Sequence, residues 1–332
     1  MQFEGKQPQG VIYITSMDRP DAVLALALLY GLQAKRDSRM GSVCITGAGL
    51  GAAIFCDLVQ RFYTPGPLRN GNQQLMPGLP AEGKMPPDSP MLTAAIDRKN
   101  DKGEPAYARS IKRVSDTSLP EAVIRNGVIF NADAVMILSA PATYLAKSLD
   151  LQGVKELYKE RVKRLVIVDS GAAQDVPAIR KVLAEFPSPV FFCPKETGDA
   201  ILFPGASLDK DFAWAPLHPI VDAVKAYKPG PYDPPTYDMA GALYAVHPDQ
   251  NFFTLSEPGS ISVTDDGRMR FTPGQGGRIR SAVADPAQRE KVVKTYVELA
   301  SAKPPVPQQR FRPPANAADK KTAPAKADPA KP

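Results

Sequence analysis

The residues best suited to chemistry gather in one short polar turn, Thr15-Ser16-Met17-Asp18-Arg19-Pro20-Asp21. Carboxylates of this kind serve as general acids and bases and as ligands for hard cations. What flanks the turn makes it the first place to look. Residues 11–14 before it are a β-branched apolar run that predicts a buried strand, and residues 22–32 after it are an apolar, helix-favouring run that predicts a buried helix. In α/β sheets ligands bind beyond the carboxyl ends of the strands, which is where a strand–turn–helix unit puts its turn. Each carboxylate also has an ordinary structural reading. Asp21 stands where a helix N-cap is expected, and Asp18 is a common turn residue. Asp238 further on, in Tyr237-Asp238-Met239, stands likewise before a helical run.

The rest of the chain must position these groups. After the first helix, strands are expected at residues 42–46, 134–138, 165–168 and 190–193. Helices are expected at residues 52–62, 119–127, 144–150, 154–161 and 176–186. This alternation predicts one α/β domain with a mainly parallel sheet flanked by helices. Helices are expected again at residues 220–227, 240–246 and 287–300, and Asp265-Asp266-Gly267-Arg268 inside residues 259–272 signals a hairpin. Residues 64–105, rich in Pro, Gly and Asn, form a long surface excursion. The glycine turn Gly47-Ala48-Gly49-Leu50-Gly51-Ala52 follows a strand and nearly fits a dinucleotide fingerprint. It follows the second strand, however, and has no acidic residue ending the next one, so close helix–strand packing explains the glycines as well.

The chain has 332 residues, 43% of them hydrophobic, and a net charge of +6. Residues 303–332 carry seven Lys/Arg and two Asp, a net of +5, which leaves the body near +1 (6 − 5). A near-neutral body excludes the electrostatic footprint of a nucleic-acid binder. The sequence divides into a domain over residues 1–302 and a Pro/Ala/Lys-rich tail, 303–332, expected to be disordered. No apolar run is long enough for a membrane span, and MQFEGKQPQG lacks a signal-peptide layout, so a cytoplasmic location is expected for the chain as given. Cys44, Cys56 and Cys193 have spacings that suit neither a disulfide framework nor a zinc site. His218 and His247 each lie beside a proline at a helix edge, which suits a structural or surface role.

Four segments in order give a family resemblance over residues 10–275: VIYITSMDRPDAVLALALL, AVMILSAPATYLAKSLDL, VKRLVIVDSGAA, and the pair FPSPVFFCPKETGDAI and TYDMAGALYAVHPD. Together they resemble the inosine/uridine-preferring nucleoside hydrolases, whose first strand runs into an aspartate cluster and an apolar helix. The resemblance implies a nucleoside hydrolase-like fold and hydrolysis of the N-glycosidic bond of a ribonucleoside or related N-glycoside, with a bound calcium positioning water. It further implies dimers or tetramers. Carried over by position, it makes Asp21, Asp238 and the Thr143 carbonyl metal ligands. Asp18 would compensate for a lost aspartate as the catalytic carboxylate, with Tyr237 in the place of the family's acidic histidine. Trp214 and Ser16 would contact substrate, although a lone Trp in an apolar stretch is also ordinary packing.

The departures support a second reading. Ser16 and Pro20 stand where the family has aspartates, Ala140 and Tyr144 differ from its turn, and its Glu-Phe-Asn sugar-binding segment has no counterpart. A non-catalytic relative that binds a nucleoside or sugar, or acts as a scaffold, fits these losses. A dinucleotide-dependent oxidoreductase working through residues 47–52 is the third reading.

Overall fold

The computed structural model describes residues 8–65, 76–81, 86–228, 230, 232–274 and 276–305. Its strands are β1 (Gln9–Thr15), β2 (Ser38–Ile45), β3 (Ala134–Ser139), β4 (Val162–Val168), β5 (Val190–Cys193), β6 (Phe253–Leu255), β7 (Gly259–Val263), β8 (Met269–Pro273) and β9 (Arg280–Ala284). The helices before β4 are α1 (Pro20–Ala34), α2 (Leu50–Tyr63), α3 (Pro90–Ile96), α4 (Pro120–Ile129), α5 (Thr143–Ser148) and α6 (Val154–Arg161). After it come α7 (Val176–Glu185), α8 (Lys195–Ala200), α9 (Ser207–Lys210), α10 (Pro219–Tyr227), α11 (Tyr237–Val246) and α12 (Arg289–Ala300).

The main sheet runs β2-β1-β3-β4-β5-β9-β6, parallel throughout except that β6 lies antiparallel to β9. The chain steps from β1 outward to β2 and then back past β1 to β3. The strand order therefore reverses between β1 and β3, and a crevice opens at such a switch point. Thr15, last in β1, lies level with Ser139, last in β3.

Both faces of the sheet are covered. Val11 and Tyr13 of β1, with Val135 and Ile137 of β3, face one core, while Ile12, Ile14, Met136 and Leu138 face the other. This is the period of two expected of strands buried on both sides. The first core is built around α1, which is buried from Pro20 to Leu32 and packs against α10, α11 and α12. A helix apolar all round has no solvent face to offer, so the sequence alone marks α1 as central. Gly241 lets α11 press onto the sheet, because a Cβ there would stand 2.3 Å from Val168 Cγ2.

The structure agrees with the expected parallel α/β sheet flanked by helices. It moves two helix starts that matter. The first helix begins at Pro20 rather than Ala22, with proline in its favoured first position, so Asp21 lies inside the first turn and is not its N-cap. The helix expected from Ala240 begins at Tyr237, so Asp238 also lies inside a first turn. The expected hairpin is β7–β8, closed over residues 264–268 with Gly267 at φ +81°. Strands β6 and β9 and helices α3, α8 and α9 are found beyond those expected. β9 pairs with β5 over only two register positions, too short a run to announce itself in sequence. The tail from 306 and parts of the 64–105 excursion lie outside the described residues. Among the described residues no helix is long and apolar enough to cross a membrane.

Candidate functional site

The turn after β1 and the start of α11 meet at the β1/β3 switch point, although 217 positions separate Asp21 from Asp238 in sequence. Three carboxylates converge there on one guanidinium. Arg19 Nε donates to Asp21 Oδ1 (3.2 Å), Nη1 to Asp18 Oδ1 (3.0 Å) and Nη2 to Asp238 Oδ1 (2.8 Å). Nη2 also reaches Ser139 Oγ at 3.2 Å, which ties the cluster to the end of β3.

Each carboxylate has further donors. The Asp238 backbone N–H donates to Asp21 Oδ2 at 3.0 Å, so Asp21 satisfies an orphan N–H in the first turn of α11 rather than one in its own helix. Tyr13 Oη donates to Asp238 Oδ2 (2.5 Å), and Ser139 Oγ donates to Asp238 Oδ1. Ser16 Oγ donates to Asp18 Oδ1 (2.5 Å). The turn that makes this possible is bent at Met17, a buried non-glycine residue at φ +51° whose N–H is held by Thr15 Oγ1 (3.2 Å). Such backbone is costly for a side chain larger than glycine and persists where surrounding packing imposes it.

Burial sets the electrostatics. Asp21 and Asp238 are 1% and 0% exposed. Burial, and then the charge of Asp238, push Asp21 up to about 7 against the opposing pull of Arg19. Burial alone would pull Arg19 down, but Asp238, Asp21 and Asp18 more than reverse that and keep it charged. Burial and the neighbouring Asp238 charge raise the Tyr13 phenol well above its ordinary range, so it acts as a donor.

Calcium takes six to eight oxygens that close around it. Here the inward carboxylate oxygens already accept from Arg19, Tyr13, Ser139 and a backbone N–H. As arranged, the residues do not fit a calcium ion. A metal would have to displace the guanidinium and several short hydrogen bonds. Among the described residues no group of three or more His, Cys, Asp or Glu is arranged to hold a metal.

The other expected site residues divide. Ser16 belongs to the cluster through Asp18. The Thr143 side chain is turned to Asp175, the N-cap of α7, at 2.7 Å. Tyr237 is hydrogen-bonded outside the cluster. Its phenol donates to Asp199 Oδ1 (2.6 Å) under Lys195, and burial, then Asp199, push it up to about 12, so it is a poor acid.

Trp214 is not near the cluster. Its indole donates to the Ser301 carbonyl (2.9 Å) and its ring packs on Phe62 and His218. Phe62 in turn adjoins Tyr63, which stacks on Tyr30. Tyr30 lies ten residues beyond Pro20 along α1, about 15 Å from the site end of the helix. The single tryptophan packs within this aromatic cluster. His218 belongs to the same aromatic cluster, and burial lowers it to about 3, so it is neutral.

Three members of the centre carried no role in the sequence: Arg19, Tyr13 and Ser139. Tyr13 and Ser139 follow from strand alternation once the α1 side of the sheet is known to hold the aspartates. Arg19 had no such signal beyond its place between two acids.

As arranged, the glycine turn does not suit a dinucleotide. It follows β2, the edge strand, and the Asp88 carboxylate already caps the start of α2 through the Gly51 N–H (2.7 Å). A phosphate would have to displace that charge.

An open, parallel sheet of this order, with an acidic centre at its switch point, is an α/β fold of the nucleoside hydrolase type. The chain is similar to the crystal structure of an inosine–uridine preferring nucleoside hydrolase from Bacillus anthracis, with a TM-score of 0.64 over 88% of this chain and 99% of that one, at 13% identity. It is similar to a purine-preferring ribonucleoside hydrolase from Gardnerella vaginalis, with a TM-score of 0.60 over 88% and 98%, at 15% identity. The type III effector protein XopQ, complexed with adenosine diphosphate ribose, has a TM-score of 0.62 over 90% and 94%, at 14% identity. These likenesses concern the fold. No protein-family model matches the sequence, and no curated protein matches it.

Proposed function

We propose that this chain binds a small ribosyl-containing ligand, a nucleoside or a relative of one, at the β1/β3 switch point, and that it does not carry out calcium-assisted hydrolysis of the N-glycosidic bond. The observation that carries the reading is the Arg19 guanidinium among Asp18, Asp21 and Asp238. Glycoside hydrolysis needs a water activated on one face of the sugar and help for the leaving group on the other. Here the buried carboxylates are tied to an internal cation, and the tyrosine in the acid's position is tied to Asp199. Loss of one acid–base group removes about 10² to 10⁴ in rate.

Support for the ligand class comes from the fold. The proteins similar in structure include nucleoside hydrolases, and the effector of the same fold was crystallised with adenosine diphosphate ribose. The switch point keeps exposed polar atoms at its rim: the Asp18 side chain is about half exposed, and Arg19 is partly so. A carboxylate and guanidinium N–H groups suit the hydroxyls of a ribose.

The test combines two measurements on the full chain. Base release from inosine, uridine, adenosine and guanosine is followed chromatographically with millimolar calcium. Binding of the same nucleosides, of ribose and of adenosine diphosphate ribose is followed by calorimetry. The reading expects binding of at least one ribosyl compound without base release. Turnover that disappears in Asp21→Ala would establish the hydrolytic reading instead, which the retained pair Asp21 and Asp238 favours.

A further inference from the structure

We infer that Arg19 is the resident cation of this centre: its guanidinium does from within the chain what a bound divalent ion would otherwise do, holding together two buried carboxylates from distant parts of the sequence. The inference concerns the same site as the proposed function but needs no ligand and no statement about turnover.

Asp21 and Asp238 approach each other with almost no solvent between them and the core. Two such carboxylates repel strongly unless a positive charge lies between them or one of them takes up a proton. Arg19 lies there, and its shape suits the task. The planar fork presents Nε to Asp21, one terminal nitrogen to Asp18 and the other to Asp238, so one side chain addresses three acids in separate directions. A lysine ammonium is a point charge and does not reproduce that fork. Arg19 has no competing duty. It stands at the N-cap position of α1 but makes no side-chain capping bond. Its contacts span the first turn of α1, the end of β3 and the first turn of α11, so it bolts three elements of the fold at one point.

The consequence is a centre independent of metal and dependent on one arginine. Thermal unfolding of the full chain is measured for the wild type, Arg19→Met, Arg19→Lys and the double variant R19M/D21N, each with 5 mM calcium chloride and with a chelator in its place. The wild-type midpoint is expected to be the same in both. R19M is expected to melt about 5 to 10 °C lower, because breaking one side of a buried charged cluster is strongly destabilising. R19K should fall between them. R19M/D21N, compared with R19M at pH 9 so that Asp21 is ionised in the reference, removes one charge of each sign and should recover part of the loss. If R19M does not fold, R19M/D21N still decides. A folded double variant supports the inference, and one as damaged as R19M shows that packing rather than charge is at work and overturns it. Calcium stabilisation of the wild type, or R19M melting with the wild type, also overturns it. Base release in the nucleoside assay would sink the proposed function and leave this result standing.

Discussion

Asp21→Asn tests the electrostatics of the buried centre most directly. Asp21 is pushed up to about 7, from an ordinary value of 3.8, by burial and by Asp238 on α11. The charged and titratable groups around it are Asp238, Arg19, and more distantly Tyr13 and Tyr232. The unfolded chain releases the Asp21 proton near pH 4, while the folded chain holds it to about pH 7. Between those values the folded state binds more protons, so the contribution of this group to stability falls as pH rises. A difference of about 3 pH units at about 1.4 kcal/mol each gives roughly 4 kcal/mol across the window. Below pH 4 the effect vanishes, and above pH 7 it is constant. Some other carboxylates act in the opposite sense. Burial raises Asp199, for example, but Lys195 and Tyr237 outweigh it and hold that carboxyl below its ordinary range. The informative quantity is therefore the difference between wild type and variant. Urea unfolding of both at half-unit steps from pH 4 to 8 measures it. The substituted amide cannot titrate, so the wild type should lose stability relative to the variant between pH 4 and 7, by up to about 4 kcal/mol. Parallel curves for the two proteins would refute the reasoning, whatever the absolute cost of the substitution.

Tyr13→Phe removes the donor to Asp238 Oδ2 and should cost about 2 kcal/mol in urea unfolding, the scale of a hydrogen bond to a charged group. Trp214→Ala should cost about 3 kcal/mol by the same assay and leave calorimetric nucleoside affinity unchanged, since the ring packs on Phe62 and His218 away from the centre. Asp88→Ala should lower stability by about 1 kcal/mol through loss of the α2 cap, with no binding of NAD in either protein by calorimetry. Gly241→Ala sets a methyl against Val168 and should lower the thermal midpoint by a few degrees, the effect of about 1 to 3 kcal/mol of overpacking.

The sequence by itself determined the architecture. Apolar runs of strand length alternating with helical runs require a sheet covered on both faces, and the all-apolar α1 can only be central. It also marked the turn holding Asp18 and Asp21, because a polar turn between a buried strand and a buried helix must emerge at a strand end. Neither of these depends on which elements finally touch. The short strands β6 and β9 were not legible, since runs of three and five residues become strands only when a sheet edge is there to receive them. The role of Arg19 was illegible for a related reason. An arginine between two aspartates is ordinary surface sequence, and only the folding of Asp238 onto the same point, from 219 positions away, turns it into a partly buried counterion. Trp214 shows the converse: composition singled it out, and the packing of α2 against α10 decided that it serves the far end of the core. Local sequence carries the periodicity of each element. The distances between charges from different elements, and hence whether acids meet a metal or an arginine, are set only when those elements pack.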